Sequence, residues 1–283
     1  MSAGGFAGIL PAMVKLGLLL RSMGPQATRD TLVACARAAE AAGLDDLWVP
    51  DHLAIPLDEA EGSGGRYLDQ LATLAFLAGL TTRIGLGAGA LVLPYRPALP
   101  TAKWIASIQE LSGGRLLLGV GVGWMRAEFR ALGVPWERRG ALADATLAFL
   151  ARCFAADEVE ANGQRFLFLP RPPRPPVFVG GSAPHALRRA VRYGDGWMPM
   201  VRDPAALKEP VAELRARAAA AGKPSPEVVV LTTLPLDDRA AAADRVRAFA
   251  AAGATRLLHA WRYPDAAAFA RAAEALVGVR ASP

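Results

Sequence analysis

Eight short apolar runs, each followed by a stretch of helical periodicity, constrain this chain more than anything else in it. The runs occupy residues 15–20, 46–50, 83–93, 116–123, 176–181, 196–200, 227–236 and 256–261. The helical stretches fall at 28–42, 68–80, 101–111, 138–154, 184–193, 204–221, 240–252 and 265–277. Punctuation agrees with the periodicity: Thr28 can cap the first helix with Asp30 in its opening turn, Gly43 follows its end, and Gly253 closes the seventh in the same way. Strand and helix alternating eight times over about 250 residues is the pattern of a parallel barrel. A doubly wound open sheet would carry a glycine-rich nucleotide fingerprint directly after its first strand. Here that strand runs into Arg21-Ser22-Met23-Gly24-Pro25. The expected fold is an α/β chain forming a single (β/α)8 TIM barrel over residues 13–283.

Two segments fall outside the rhythm. Residues 1–12 are rich in glycine and alanine without a basic leader, and are expected to form a flexible tail, not a secretory signal. Between the fourth helix and the fifth strand, residues 156–176 hold Asn162-Gly163 flanked by short apolar runs, a hairpin signal. The proline-rich stretch 170–176 then runs extended back to the barrel. A hairpin insertion is expected there.

Composition removes several function classes. A hydrophobic share of 53% with 20% charged residues suits a large packed core. Arg, Asp or Glu interrupts the apolar stretches before any reaches the ~20 residues of a membrane span. The formal charge of +6 raises the question of nucleic acid. The basic residues, however, alternate with acids and alanine, with no block of five and no aromatic-interleaved basic strand. No nucleic-acid and no membrane partner is expected, and the location expected is the cytoplasm. Cys35 and Cys153, far apart in alanine-rich helical patterns, read as buried free thiols. The three histidines lack metal-ligand spacing, so no metal site is expected. The Gly-x-Ser-x-Gly elbow of a serine hydrolase is missing.

The unusual chemistry collects where strands end, the working face of a parallel barrel. Asp51-His52 closes the second strand, where an imidazole can exchange a proton near neutrality and a carboxylate can orient a ring; a loop-capping pair is the alternative. Gly85, Gly87 and Gly89 strip one face of the third strand, and Gly119, Gly121 and Gly123 one face of the fourth. Such a face admits either close helix packing or a flat ligand against backbone, and two adjacent stripped strands favour a planar ligand across the barrel mouth. Gly180-Gly181-Ser182-Ala183-Pro184 leads from the fifth strand into a helix beginning at or near Pro184, either an anion site or an ordinary turn. Trp124 and Trp197 close strand ends and offer either stacking or rim packing.

Taken in order, five segments resemble the luciferase-like monooxygenase superfamily, and within it the branch using the deazaflavin coenzyme F420. They are Trp48-Val49-Pro50-Asp51-His52, residues 87–97, residues 111–124 with Leu111-Ser112-Gly113-Gly114-Arg115, Phe178-Val179-Gly180-Gly181-Ser182, and Tyr193-Gly194-Asp195-Gly196-Trp197. The resemblance implies a ring bound at the C-terminal mouth of the barrel. It implies a non-prolyl cis peptide at Gly89-Ala90 backing that ring, and phosphate contacts from Gly180, Gly181, Ser182 and Ala183. It also implies cofactor contacts from Asp51 and from Val122-Gly123-Trp124, with His52 as the catalytic imidazole.

Related sugar dehydrogenases carry a catalytic Glu directly after the Gly-x-Gly of the fourth strand; Trp124 stands there in this chain, which leaves the general base unassigned. Glu128 would face the same way only if its segment is helical, and it is not counted among the site residues. The function implied is hydride transfer between F420 and a small organic substrate. The alternative is an FMN-dependent monooxygenase using O2 and reduced flavin, and a third reading is a non-catalytic flavin-binding barrel. The partners implied are a small-molecule substrate, a separate flavin or F420 reductase, and a second copy of the chain docked through helices such as 68–80. Substrate contacts are expected from loop 53–65 and from the hairpin insertion.

Overall fold

The computed structural model describes residues 14–60 and 62–280. The tail expected at 1–12 lies outside those residues. All eight apolar runs are strands: β1 (Lys15–Leu19), β2 (Asp46–Val49), β3 (Gly85–Val92) and β4 (Leu116–Gly121) form one half of the ring. After β5 (Glu158–Ala161) and β6 (Gln164–Leu167), the other half follows as β7 (Val177–Gly180), β8 (Gly196–Met198), β9 (Glu227–Thr232) and β10 (Arg256–His259). Every barrel neighbour pairs in parallel, and the ring closes in the order β1-β10-β9-β8-β7-β4-β3-β2.

The helices are α1 (Arg29–Ala42), α2 (Gln70–Leu80), α3 (Ala98–Leu111), α4 (Arg126–Ala131), α5 (Arg139–Ala155), α6 (His185–Tyr193), α7 (Lys208–Ala220), α8 (Arg239–Ala251) and α9 (Ala266–Arg280). Side chains start them where the sequence suggests: the oxygens of Thr28, Asp69 and Asp238 accept from Thr31 N, Ala72 N and Ala241 N. Among the described α-helices, α4 is the one that periodicity did not reveal, because six residues are under two turns.

Alternation along each strand divides the core in two. Outward residues such as Leu16, Leu18, Leu47, Leu86, Leu118 and Val120 pack with Leu74, Ile105, Leu147 and Leu276 of the helices. Inward positions hold a smaller cluster of Trp48, Phe178, Met198, Val229 and Leu258. Of the two readings of the glycine stripes, close packing or a planar ligand across the mouth, close packing holds at Gly87 and Gly119. A Cβ at Gly87 would fall inside the Trp48 indole, and one at Gly119 would meet the Ala88 carbonyl and Met198 sulfur. The stripes are bare because a fully buried tryptophan fills the barrel between them.

Beneath that layer lies charge. Asp46, fully buried, accepts from the Trp48 indole and pairs with Arg256, whose other arm reaches Glu227 at 3.5 Å. Burial pulls Arg256 down to about 10 against the charge of Asp45. Gly17 is small for the same reason as Gly87: a side chain there would overlap the Asp46 carboxylate.

Strands β5 and β6 pair antiparallel around Asn162 and Gly163, both at positive φ (51° and 77°), the primed turn such a pair favours. The hairpin lies on a helix-to-strand connection, and these connections run at the N-terminal end of a parallel barrel. Its Val159 is buried in the outer core, together with Phe154 and Phe168. Substrate contacts from this hairpin, expected from the sequence, are therefore ruled out by topology: it sits opposite the catalytic mouth.

Removing one partner of the buried ion pair leaves an uncompensated charge. Asp46→Ala is expected to lower unfolding stability by about 3–5 kcal/mol, and adding Arg256→Met to recover part of the loss. Urea unfolding of both variants checks this; a single variant as stable as the parent would contradict it.

Candidate active site

The chain leaves β2 at Asp51-His52 and leaves β4 at Gly123, and these two exits build the site. Gly123 adopts φ 81°, and a Cβ there would strike Phe129 and Val92. That turn lays α4 back over the barrel mouth, with Phe129 packed on Tyr95 and Trp136 (ring centroids 5.2 and 5.0 Å). Anchored this way, α4 delivers Glu128 to the end of β2. Its side chain is fully buried and accepts four hydrogen bonds. One oxygen takes Leu53 N at 2.6 Å and Ala54 N at 2.9 Å; the other takes His52 Nδ1 at 2.7 Å and Tyr95 Oη at 2.8 Å.

Burial alone would raise the Glu128 pKa, but His52, the two amides and Tyr95 outweigh it and bring it down to about 2. Burial and Glu128 together push the Tyr95 phenol up, so it stays a donor. An ionised carboxylate only accepts, so Nδ1 of His52 carries the proton and Nε2 is left to the mouth. The His52 side chain is 17% exposed, flanked by Tyr67 (ring centroids 5.0 Å) and by the edge of Trp124 (5.9 Å). Trp124 itself is 67% exposed at the rim.

Asp51 corrects an expectation. It does not face a ligand: its carboxylate is fully buried, accepting from Val92 N at 2.9 Å and from both arms of Arg96 at 2.7 and 2.8 Å. Arg96 also holds Asp69, the residue that caps α2. Burial works against the Arg96 charge, but Asp51 and Asp69 more than offset it and hold the guanidinium above its ordinary value. The latch ties the end of β2 to the end of β3, and so fixes where His52 stands.

The floor beside His52 is stripped of side chains at one level only. The Gly89-Ala90 peptide is cis, and the β3–β4 register shifts between Ala88 and Leu91. Ala90 faces inward there. Cβ atoms at Gly121 and Gly180 would approach it at 3.7 and 3.8 Å, so these three small residues converge above Trp48 and Met198. All three residues are half-buried, so this shelf presents backbone and one methyl group and no large side chain. Val122 packs against the outer core and offers backbone alone.

At the far side of the shelf, Gly181 turns at φ 113° and its carbonyl takes the Trp197 indole N–H at 2.8 Å. Trp197 is thus buried and pins this loop, and offers no stacking surface. Ser182 and Ala183 are exposed, and among the described residues their backbone N–H groups have no protein acceptor. Pro184 precedes the first helical residue, His185. The loop opening α6 can therefore receive an anion.

The sequence placed His52, Gly89-Ala90, Gly121 and the Gly180–Ala183 loop at one mouth, and the fold brings them together there. It missed Glu128 as the partner of His52, as well as Tyr95 and Arg96. The signal was present: Gly133, at φ 65°, closes the segment carrying Glu128-Phe129 as a helix-ending glycine does. His259, at the end of β10, belongs to the core: burial lowers it to about 4, and its Nδ1 accepts from Leu234 N. Cys35 and Cys153 are buried free thiols. No helix among the described residues is long and apolar enough to cross a membrane, and no described cluster of His, Cys, Asp or Glu could hold a metal.

The family description "Luciferase-like monooxygenase" matches residues 15–282. An uncharacterised protein of Mycobacterium tuberculosis is 33% identical over 233 residues, 75% of this chain and 82% of its own length. The F420-dependent hydroxymycolic acid dehydrogenase of the same organism is 33% identical over 204 residues, 68% of this chain and 54% of that one. Among solved structures, an F420-dependent secondary alcohol dehydrogenase in complex with an F420-acetone adduct superposes with a TM-score of 0.79 at 17% identity, covering 95% of this chain and 99% of the other. Parallel barrel, bulged third strand and near full-length match agree: this chain belongs to the luciferase-like monooxygenase family.

Proposed function

We propose that this protein is an F420-dependent oxidoreductase that moves a hydride between the cofactor and a small organic substrate, with His52 exchanging the accompanying proton. The observation that carries this reading is the His52–Glu128 pair at 2.7 Å beside a shelf of small residues. F420, rather than FMN, is favoured by the dehydrogenase named above, alike over two-thirds of the chain. When bound, the cofactor supplies a two-electron hydride acceptor or donor.

The chain supplies the rest. Ala90, Gly121 and Gly180 support the ring, and the amides of Ser182 and Ala183 with the Ser182 hydroxyl take the phosphate. Asp51 works through Arg96, as a positioning residue. Gly123 and Trp124 bound the site beside His52. For oxidation of an alcohol, Nε2 of His52 takes the hydroxyl proton as hydride leaves the carbon; for reduction it returns the proton to the nascent alkoxide. Glu128 holds the ring and stabilises the imidazolium in between, in the manner of a carboxylate behind a catalytic histidine. Trp124 and Tyr67 flank the imidazole and limit its solvent. A homodimer would bury the exposed Phe76 of α2 with Leu99 and Trp104 of α3.

Side-by-side titration of the purified protein with F420 and with FMN tests the reading. Tight F420 binding with weak FMN binding is expected; the reverse would contradict it and place the chain with reductase-fed oxygenases.

Glu128→Gln turns an acceptor toward His52 into a donor and forces the other tautomer. It is expected to lower kcat on the order of 10²–10⁴-fold with F420 affinity kept. The same variant has a stability signature. A carboxyl depressed from 4.5 to about 2 stabilises the fold above its unfolded pKa, and the contribution, about 3 kcal/mol, is lost as pH falls toward 2. Acid unfolding should therefore be steeper in the parent than in Glu128→Gln, and equal slopes would count against the assignment.

A further inference from the structure

Among the described residues, the arginines inside the fold meet carboxylates or several carbonyls, whereas Arg21 meets one carbonyl at long range. Arg96 is held by Asp51 and Asp69, Arg189 by Asp144, and Arg256 by Asp46. Arg115 donates to the carbonyls of Ala78, Thr81, Ile84 and Ser112. Arg21 is only 8% exposed, yet among the described residues it meets no carboxylate. Its Nη2 reaches the Gly62 carbonyl at a long 3.4 Å, and its Nε is buried without a partner. A desolvated cation lacking a counter-charge is costly to keep, and an arriving anion removes that cost.

Its place in the barrel says which anion. Arg21 lies two residues past β1, on the parity of Gly17 and Leu19, which face the barrel interior. The following residues run beside Tyr67: Met23 bridges it, and the Ser22 carbonyl accepts Leu68 N at 2.9 Å. The Tyr67 ring stands 5.0 Å from His52. Burial and Glu128 raise the Tyr67 phenol while the charge of Arg21 opposes them, so the guanidinium is close enough to act on Tyr67. From the β10 side, Arg262 approaches the same Gly62, its Nη2 3.0 Å from where a Cβ would stand. The phosphate loop on β7 is four strands from β1 whichever way the ring is followed. A phosphate held at that loop would therefore lie across the mouth from Arg21, whereas His52 follows β2, the strand beside β1.

We propose that Arg21 is a specificity-determining residue that takes the carboxylate of an anionic substrate and sets its reacting carbon against His52. This rests on the oxidoreductase reading above. Tyr67 and Trp124 provide aromatic surface for the body of such a substrate, and Arg262 adds positive field at the rim. A guanidinium suits this role because its fork of donors matches a carboxylate in geometry as well as charge.

Calorimetric binding of benzoate and of benzamide to the full chain saturated with F420 tests the proposal. The parent is expected to prefer benzoate roughly 10-fold, a gain of the size a charge-assisted hydrogen bond gives. Arg21→Gln should abolish the preference and Arg21→Lys should retain part of it, with F420 affinity the same in all three. Equal binding of the two probes by the parent, no benzoate binding at millimolar concentration, or a preference surviving in Arg21→Gln would overturn it. Loss of F420 affinity in Arg21→Gln with the probe preference intact would assign the guanidinium to the cofactor, and also overturns it. If Arg21→Gln fails to fold, full preference in a folded Arg21→Lys with Arg262→Gln does the same. Should F420 not bind the parent at all, the oxidoreductase reading fails separately, and the probe pair on the protein alone still reads Arg21.

Discussion

The interior of an eight-stranded barrel has a fixed volume, and in this chain one indole takes much of it. Trp48 is fully buried against Phe178 at 6.2 Å between ring centroids, with Met198, Val229 and Leu258 around it. Its neighbours on the inner face must then be small, which is why Gly87 and Gly119 carry no side chain. The level below is committed to Asp46 and Arg256. A ligand can therefore enter only above the indole, on the shelf of Ala90, Gly121 and Gly180. The filled interior decides both how shallow the site is and which strand ends can serve it.

Above that plug, the Glu128 carboxylate organises the chemistry. It gathers donors from the β2 exit and from Tyr95, so three separate segments hold one another in register. A group so satisfied stays ionised, and an ionised carboxylate dictates which nitrogen of His52 bears the proton. The Asp51–Arg96–Asp69 latch does the corresponding mechanical work from the other side, fixing the same strand end through a bidentate fork. The two carboxylates near His52 thus act differently, Glu128 setting its tautomer and Asp51 its place.

Much of this architecture was legible in the sequence because periodicity and punctuation agree along it. All eight strands, and the helices that follow them, stand where apolar runs, Thr28, Gly43 and Gly253 put them. The loop at Gly180 is marked by its glycines ahead of Pro184, whereas the cis peptide at Gly89-Ala90 is implied by family resemblance alone. What stayed hidden was contact between elements distant in sequence. Glu128 is 76 residues from His52, on a helix too short to show a period. Asp51 looked like a ligand group because nothing local announces that Arg96 closes on it from 45 residues away. The glycine stripes admit close packing or a ligand alike, since a sequence shows which positions lack a side chain but not which neighbour fills the space.

The protonation pattern of His52 in solution tests the role of Glu128 most directly. Nitrogen-15 NMR of histidine-labelled protein, with His52 assigned by comparison with His52→Asn, reads which ring nitrogen carries the proton in the neutral form. The proton is predicted on Nδ1, with a free lone pair on Nε2. A neutral ring protonated on Nε2 would contradict this, because Glu128 would then not be setting the tautomer and His52 would have no base to offer the substrate.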